Sequence, residues 1–147
     1  MNLIQSAQAY RRNAVLSAGP GQLILMLFDG ALRFMNKAIA GFDEKHPVRR
    51  NETIHNNLVK THAILNELKG SLDLAEGGEF AQRMSALYNF MKAQLRQANL
   101  RKDPAPIHVV IKLLGDIRQS WAEMLMQNAS GSQDAVSSGG SAVATAA

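Results

Sequence analysis

Cysteine is absent from this chain, which removes disulfides, thiolate nucleophiles and cysteine-ligated zinc and fits a reducing compartment. Aromatic residues make up only 5%, too few for the stacking arrays on which single-stranded nucleic acids are held. No apolar run approaches the ~20 residues needed to span a bilayer. The run Leu23-Ile24-Leu25-Met26-Leu27-Phe28 ends after six residues at Asp29 and Gly30, so membrane insertion is not expected. MNLIQSAQAYRR at the start lacks the apolar stretch of a secretory signal. Strong charge of one sign is missing too. Lys and Arg total 16 against 12 Asp and Glu, a net of +4. Adjacent basic residues occur only as separated pairs, Arg11-Arg12, Arg49-Arg50 and Arg101-Lys102. A nucleic-acid surface would carry a continuous basic stripe, so no nucleic-acid partner is expected.

What remains is a chain of 147 residues, 46% hydrophobic, enough for one domain with its own core. No strand-like alternation persists before Asn128, and four helical segments separate. The first begins at Pro20, whose fixed φ suits the first helical position, behind Gly19 as N-cap, and runs to about Phe42. The second starts at Pro47 or Val48 and ends near Leu72. Its seam of Ile54, Leu58, Thr61, Leu65, Leu68 and Leu72 has the alternating three and four spacing of bundle packing. Gly77-Gly78 breaks the chain before a third helix from Glu79 to Asn99, with Phe80, Met84, Leu87, Met91, Leu95 and Ala98 as its expected seam. Asp103 and Pro104 open a fourth, carrying Val110, Leu113, Leu114, Ile117, Trp121 and Leu125. Short connections predict an all-α, antiparallel up-down four-helix bundle. It occupies residues 17–128, after an N-terminal arm (1–16) and before a disordered tail (129–147) rich in Ala, Ser and Gly.

The first helix carries more apolar surface than a bundle position requires. At roughly 100° per residue, its apolar side chains fill an arc of roughly 200°, against the ~100° stripe of an ordinary surface helix. Asp29, Arg33, Asn36 and Lys37 share the remaining seam, where Asp29 can pair with Arg33 one turn on. Gly30 costs ~1 kcal/mol against Ala in a helix and marks close approach by a neighbouring helix or a bound chain. The excess surface needs a cover. Residues 3 to 16 supply one candidate, a weakly amphipathic arm with Leu3, Ile4, Ala7, Tyr10, Val15 and Leu16, too short to hold a helix alone.

Catalytic and metal chemistry find no footing. His55 and His62 are seven apart, about 10 Å along a helix, whereas helical metal ligands sit three or four apart. The Glu-x-x-His pattern of di-iron bundles is missing. His46 and His108 are read as surface histidines. Ser17, Ser71, Ser85 and Ser120 sit in no nucleophile motif, and no phosphate-binding glycine loop occurs. The expectation is a binding protein, not an enzyme, with no catalytic residues, metal or cofactor. Six methionines in or beside the helices suit a core, and also a surface that repacks around varied apolar ligands.

The stretch AYRRNAVLSAGPGQLILMLFDGALRFMNKAI resembles the N-terminal signature of the FliS family of flagellar export chaperones: a Tyr, an apolar turn, a Pro-initiated helix and L-M-L-[YF]-D-G-A. IHNNLVKTHAILNEL, GGEFAQRMSALYNFM, LRQANLRKD and the late Trp121 follow in the family's order, so the resemblance covers about residues 7 to 126. Gly19-Pro20-Gly21 stands where the family often has Ser-Pro-Glu. The resemblance implies a cytosolic four-helix bundle that binds the disordered C-terminal segment of flagellin, prevents premature polymerisation and delivers it to the flagellar export apparatus for type III secretion. Carried onto this chain, the arm's tyrosine is Tyr10, with Ile4 beside it in the arm. The matching first-helix residues are Leu23, Leu27, Phe28 and Gly30. The alternative is a structural bundle without an export client that self-associates, for instance as a homodimer, through the same surface.

Overall fold

The protein is described from a computed structural model covering residues 19–72 and 77–137, the stretch 130–137 as helical backbone only. Four helices follow one another: α1 (Pro20–Gly41), α2 (Pro47–Gly70), α3 (Gly78–Arg101) and α4 (Ala105–Ser137). Among the described residues there are no strands. The fold is the all-α four-helix bundle that the periodicity predicts.

Local chemistry sets the ends of the helices. Pro20 opens α1, and the Leu23 amide donates to the Gly19 carbonyl at 3.0 Å. His46 caps α2: its Nδ1 accepts from the Arg49 amide at 3.3 Å, and Pro47 follows at the first helical position. Imidazole thereby does what a Ser or Asp side chain does at most helix starts, a role that its surface-residue reading missed. Lys102 ends α3 in the left-handed region, with φ 50°. This lets the Asp103 amide reach the Ala98 carbonyl at 3.1 Å. Asp103 Oδ1 then accepts from the Ala105 amide at 3.0 Å, so the expected cap on the fourth helix is present. α4 extends to Ser137, past the boundary expected at Asn128. Adding residues to a formed helix is far cheaper than nucleating one. Residues 138–147 of the tail and the whole arm lie outside the described residues.

The chain divides into two compact units, Met26–Asp116 and a second unit drawn from the chain before Met26 and after Asp116. In Met26–Asp116 all four helices contribute to one core. α1 supplies Phe28, Ala31, Met35 and Ala38, and α2 supplies Ile54, Leu58, Leu65 and Leu68. Ala81, Tyr88, Met91, Leu95 and Ala98 come from α3, with Ile107, Val110 and Leu114 from α4. Connections as short as Phe42–His46 turn each helix back along its predecessor. Thr61 is fully buried among these residues, its hydroxyl donating to the Asn57 carbonyl at 2.9 Å. That satisfies the polar atom within α2 and keeps the interface apolar.

The seam of α3 needs correcting. Phe80 is 65% exposed, while Ala81 and Tyr88 are buried. Residues 80, 84, 87, 91 and residues 81, 84, 88, 91 both step by threes and fours. Periodicity cannot separate them; the neighbouring helices do.

Candidate functional site

Within Met26–Asp116, the outer face formed by α1 and α2 combines accessible apolar surface with closely approached backbones. Gly30 and Gly41 lie on the side of α1 that meets α2. A methyl group at Gly30 would sit 3.2 Å from Ile64 Cδ1, and one at Gly41 would sit 2.9 Å from Thr53 Cγ2. The neighbour anticipated at Gly30 is therefore α2. Leu27 and Phe34 of α1 and Ile64 of α2 are half-buried. Nearer the end of α1, a hollow is lined by Lys37, Gly41, Asp43, Glu44, Thr53 and Asn57.

The residues expected to bind a partner separate by depth. Phe28 is only 1% exposed and belongs to the core. Gly30 is buried, Leu27 is half-buried, and Leu23, one turn earlier on α1, is 36% exposed. The first helix thus turns part of its wide apolar arc inward and leaves part accessible. Ile4 and Tyr10 lie outside the described residues.

Asp29 is half-buried and engaged by interaction. Arg33, expected beside it, places its guanidinium 5.3 Å from the centroid of the Phe34 ring. Lys37 and Lys60 approach the same ring at 5.6 and 5.3 Å. Composition and spacing gave no hint of this cluster. Arg33 and Lys37 flank Phe34 on one helix, but Lys60 arrives from another.

In the second unit, Trp121 Nε1 donates to the Gly21 carbonyl at 2.9 Å. A methyl group at Gly21 would meet Leu125 Cδ2 at 2.6 Å. The glycine that stands where the family often has an acidic residue thus leaves room for Leu125 of α4 against the first turn of α1.

Among the histidines, His55 Nδ1 lies 2.9 Å from Asn99 Nδ2 on α3. His62 is half-buried, and desolvation, then Arg96 and Lys92, hold its pKa below the ordinary 6.5. Burial pushes the Tyr88 phenol up to about 12. Among the described residues no three His, Asp or Glu side chains gather as metal ligands would. No described helix is long and apolar enough to cross a membrane.

A helical bundle that leaves apolar side chains of α1 accessible has the kind of surface on which amphipathic segments of other chains are held. The sequence matches the family described as Flagellar protein FliS over residues 3–128. It is 39% identical over 118 residues to the flagellar secretion chaperone FliS of Salmonella typhimurium, covering 80% of this chain and 85% of that protein. The chaperone of the same name from Bacillus subtilis is 34% identical over 80% of this chain and 84% of its own length. The Escherichia coli protein is 32% identical over 86% and 93%. The chain belongs to the FliS family of flagellar secretion chaperones.

Proposed function

We propose that this protein binds the C-terminal segment of flagellin in the cytoplasm, keeps it from polymerising early and delivers it to the flagellar export apparatus for type III secretion. It acts by binding, without catalysis. The observation that carries this reading is the accessible apolar edge of α1, where Leu23 is 36% exposed and Leu27 half-buried, in a chain whose relatives are named secretion chaperones. An amphipathic helix places anchors at i, i+3/i+4 and i+7. Leu23 and Leu27 receive such anchors, and Phe28 and Gly30 support them from within the packed interior. Residues 1–16, with Ile4 and Tyr10, compete for this surface at an effective concentration that reaches roughly millimolar for a short tether.

Calorimetry with the isolated flagellin C-terminal segment tests the proposal. Binding is expected, and its affinity should fall by no more than about tenfold between low and moderate salt, because apolar contact dominates. Polyanion binding would lose several orders of magnitude over that range. Absence of binding, together with concentration-dependent self-association through Leu23 and Leu27, would favour the self-associating bundle.

A further inference from the structure

Phe34 of α1 is half-buried, and three exposed cations converge on its ring. Arg33 Cζ, Lys37 Nζ and Lys60 Nζ lie 5.3, 5.6 and 5.3 Å from its centroid, all inside the reach of a cation–π contact. The negative face of one ring offsets only part of one charge, while the three cations repel one another. The ion pairs Arg49–Glu44, Arg83–Glu79 and Lys112–Asp116 do not involve them; Asp29, one turn before Arg33, has an interaction of its own, and Asp43 lines the same hollow as Lys37. Glu44, beside the same hollow as Lys37, is also held by the His46 amide at 3.1 Å. The cluster gathers three cations on one half-buried ring of α1.

We propose that the Phe34 cluster is a carboxylate-binding site, and that the segment docking on the α1–α2 face is both amphipathic and acidic. Its apolar anchors lie against Leu27 and Ile64, and an Asp or Glu one turn away reaches the cations of Arg33, Lys37 and Lys60. This rests on the chaperone reading above and adds the chemistry of the client. Charge also separates the client from this chain's own ends. Residues 1–18 contain two arginines and no acid, and residues 138–147 contain no acidic side chain. Either end can offer apolar side chains, but neither brings an acidic one. An acidic client thus gains a contact that a self-docked segment lacks, which biases exchange toward the client.

The test uses the full chain and two probes: the flagellin C-terminal segment, and the same segment with every Asp and Glu changed to its amide. Arg33→Gln, Lys37→Gln and Lys60→Gln are combined in one variant; all three sites are exposed, and circular dichroism confirms retained helix. Phe34→Leu is the second variant, which removes the ring that gathers the cations. At low salt, the wild type should bind the acidic probe about tenfold more tightly than the amide probe. That discrimination should vanish in the triple variant and at high salt, and shrink in Phe34→Leu. Equal binding of both probes by the wild type, or discrimination that persists in the triple variant, overturns the proposal and leaves the chaperone reading standing. Failure of the wild type to bind either probe rejects the chaperone reading and this proposal with it. A triple variant that changes only self-association identifies a second copy as the occupant and overturns the proposal as well.

Discussion

Replacing Gly41 by Ala tests how α1 and α2 meet. The added methyl would lie 2.9 Å from Thr53 Cγ2, 3.3 Å from Thr53 Cβ and 3.4 Å from Ile54 Cγ1. Thr53 sits inside α2, where a β-branched side chain has few rotamers, and Ile54 is fully buried. Neither can move aside, so overpacking should cost about 1–3 kcal/mol. The helix-propensity gain of Ala over Gly, at most ~1 kcal/mol and smaller at a terminal residue, offsets part of that. The net expectation is a loss of about 1–2 kcal/mol, read as a lower urea midpoint with an unchanged slope. Gly30→Ala is the internal control. Its methyl would lie 3.2 Å from the far end of the half-buried Ile64, which can rotate away, so the propensity gain and the contact nearly cancel. Thr53→Ser removes the methyl responsible for the shortest contact. It should recover about 1 kcal/mol in the Gly41→Ala background, a coupling visible in a double-mutant cycle. A Gly41→Ala protein as stable as the wild type, or no coupling to Thr53→Ser, would refute this account of the interface.

Three further outcomes follow from single contacts. Trp121→Phe deletes the 2.9 Å bond to the Gly21 carbonyl and should cost about 1 kcal/mol, with faster hydrogen exchange at the first turn of α1. Lys102→Gly relieves a non-glycine residue at φ 50° and loses the Nζ bond to Asn99 Oδ1; thermal melting should show a gain of about 0.5 kcal/mol. His62 has a folded pKa below the unfolded 6.5, so the folded state resists its protonation. Stability should be greatest above pH 6.5 and decline as pH falls below that value toward the depressed folded pKa. His62→Gln should flatten that part of the pH profile, and an unchanged slope would show that other groups carry it.

Fold class was legible in the sequence because helix formation is local. Pro20, Pro47 and Asp103 stand at helix starts, Gly77 and Gly78 break the chain, and the Ile54-to-Leu68 seam repeats at helical spacing. These signals act over a few residues, where capping and periodicity dominate. The surplus of apolar surface on α1 could also be read, since it is a property of one helix. Tertiary structure alone decided which neighbour met each face. Phe80 and Ala81 fit the same repeat, and only the adjoining helices chose Ala81. Phe28 went into the core while Leu23 stayed accessible, although both belong to one apolar arc. Lys60 meets Arg33 and Lys37 at Phe34 because α2 lies beside α1, and the same packing presses Thr53 against Gly41. Such contacts join residues distant in the chain. Periodicity fixes a side chain's direction around its own axis and carries no information about the helix opposite.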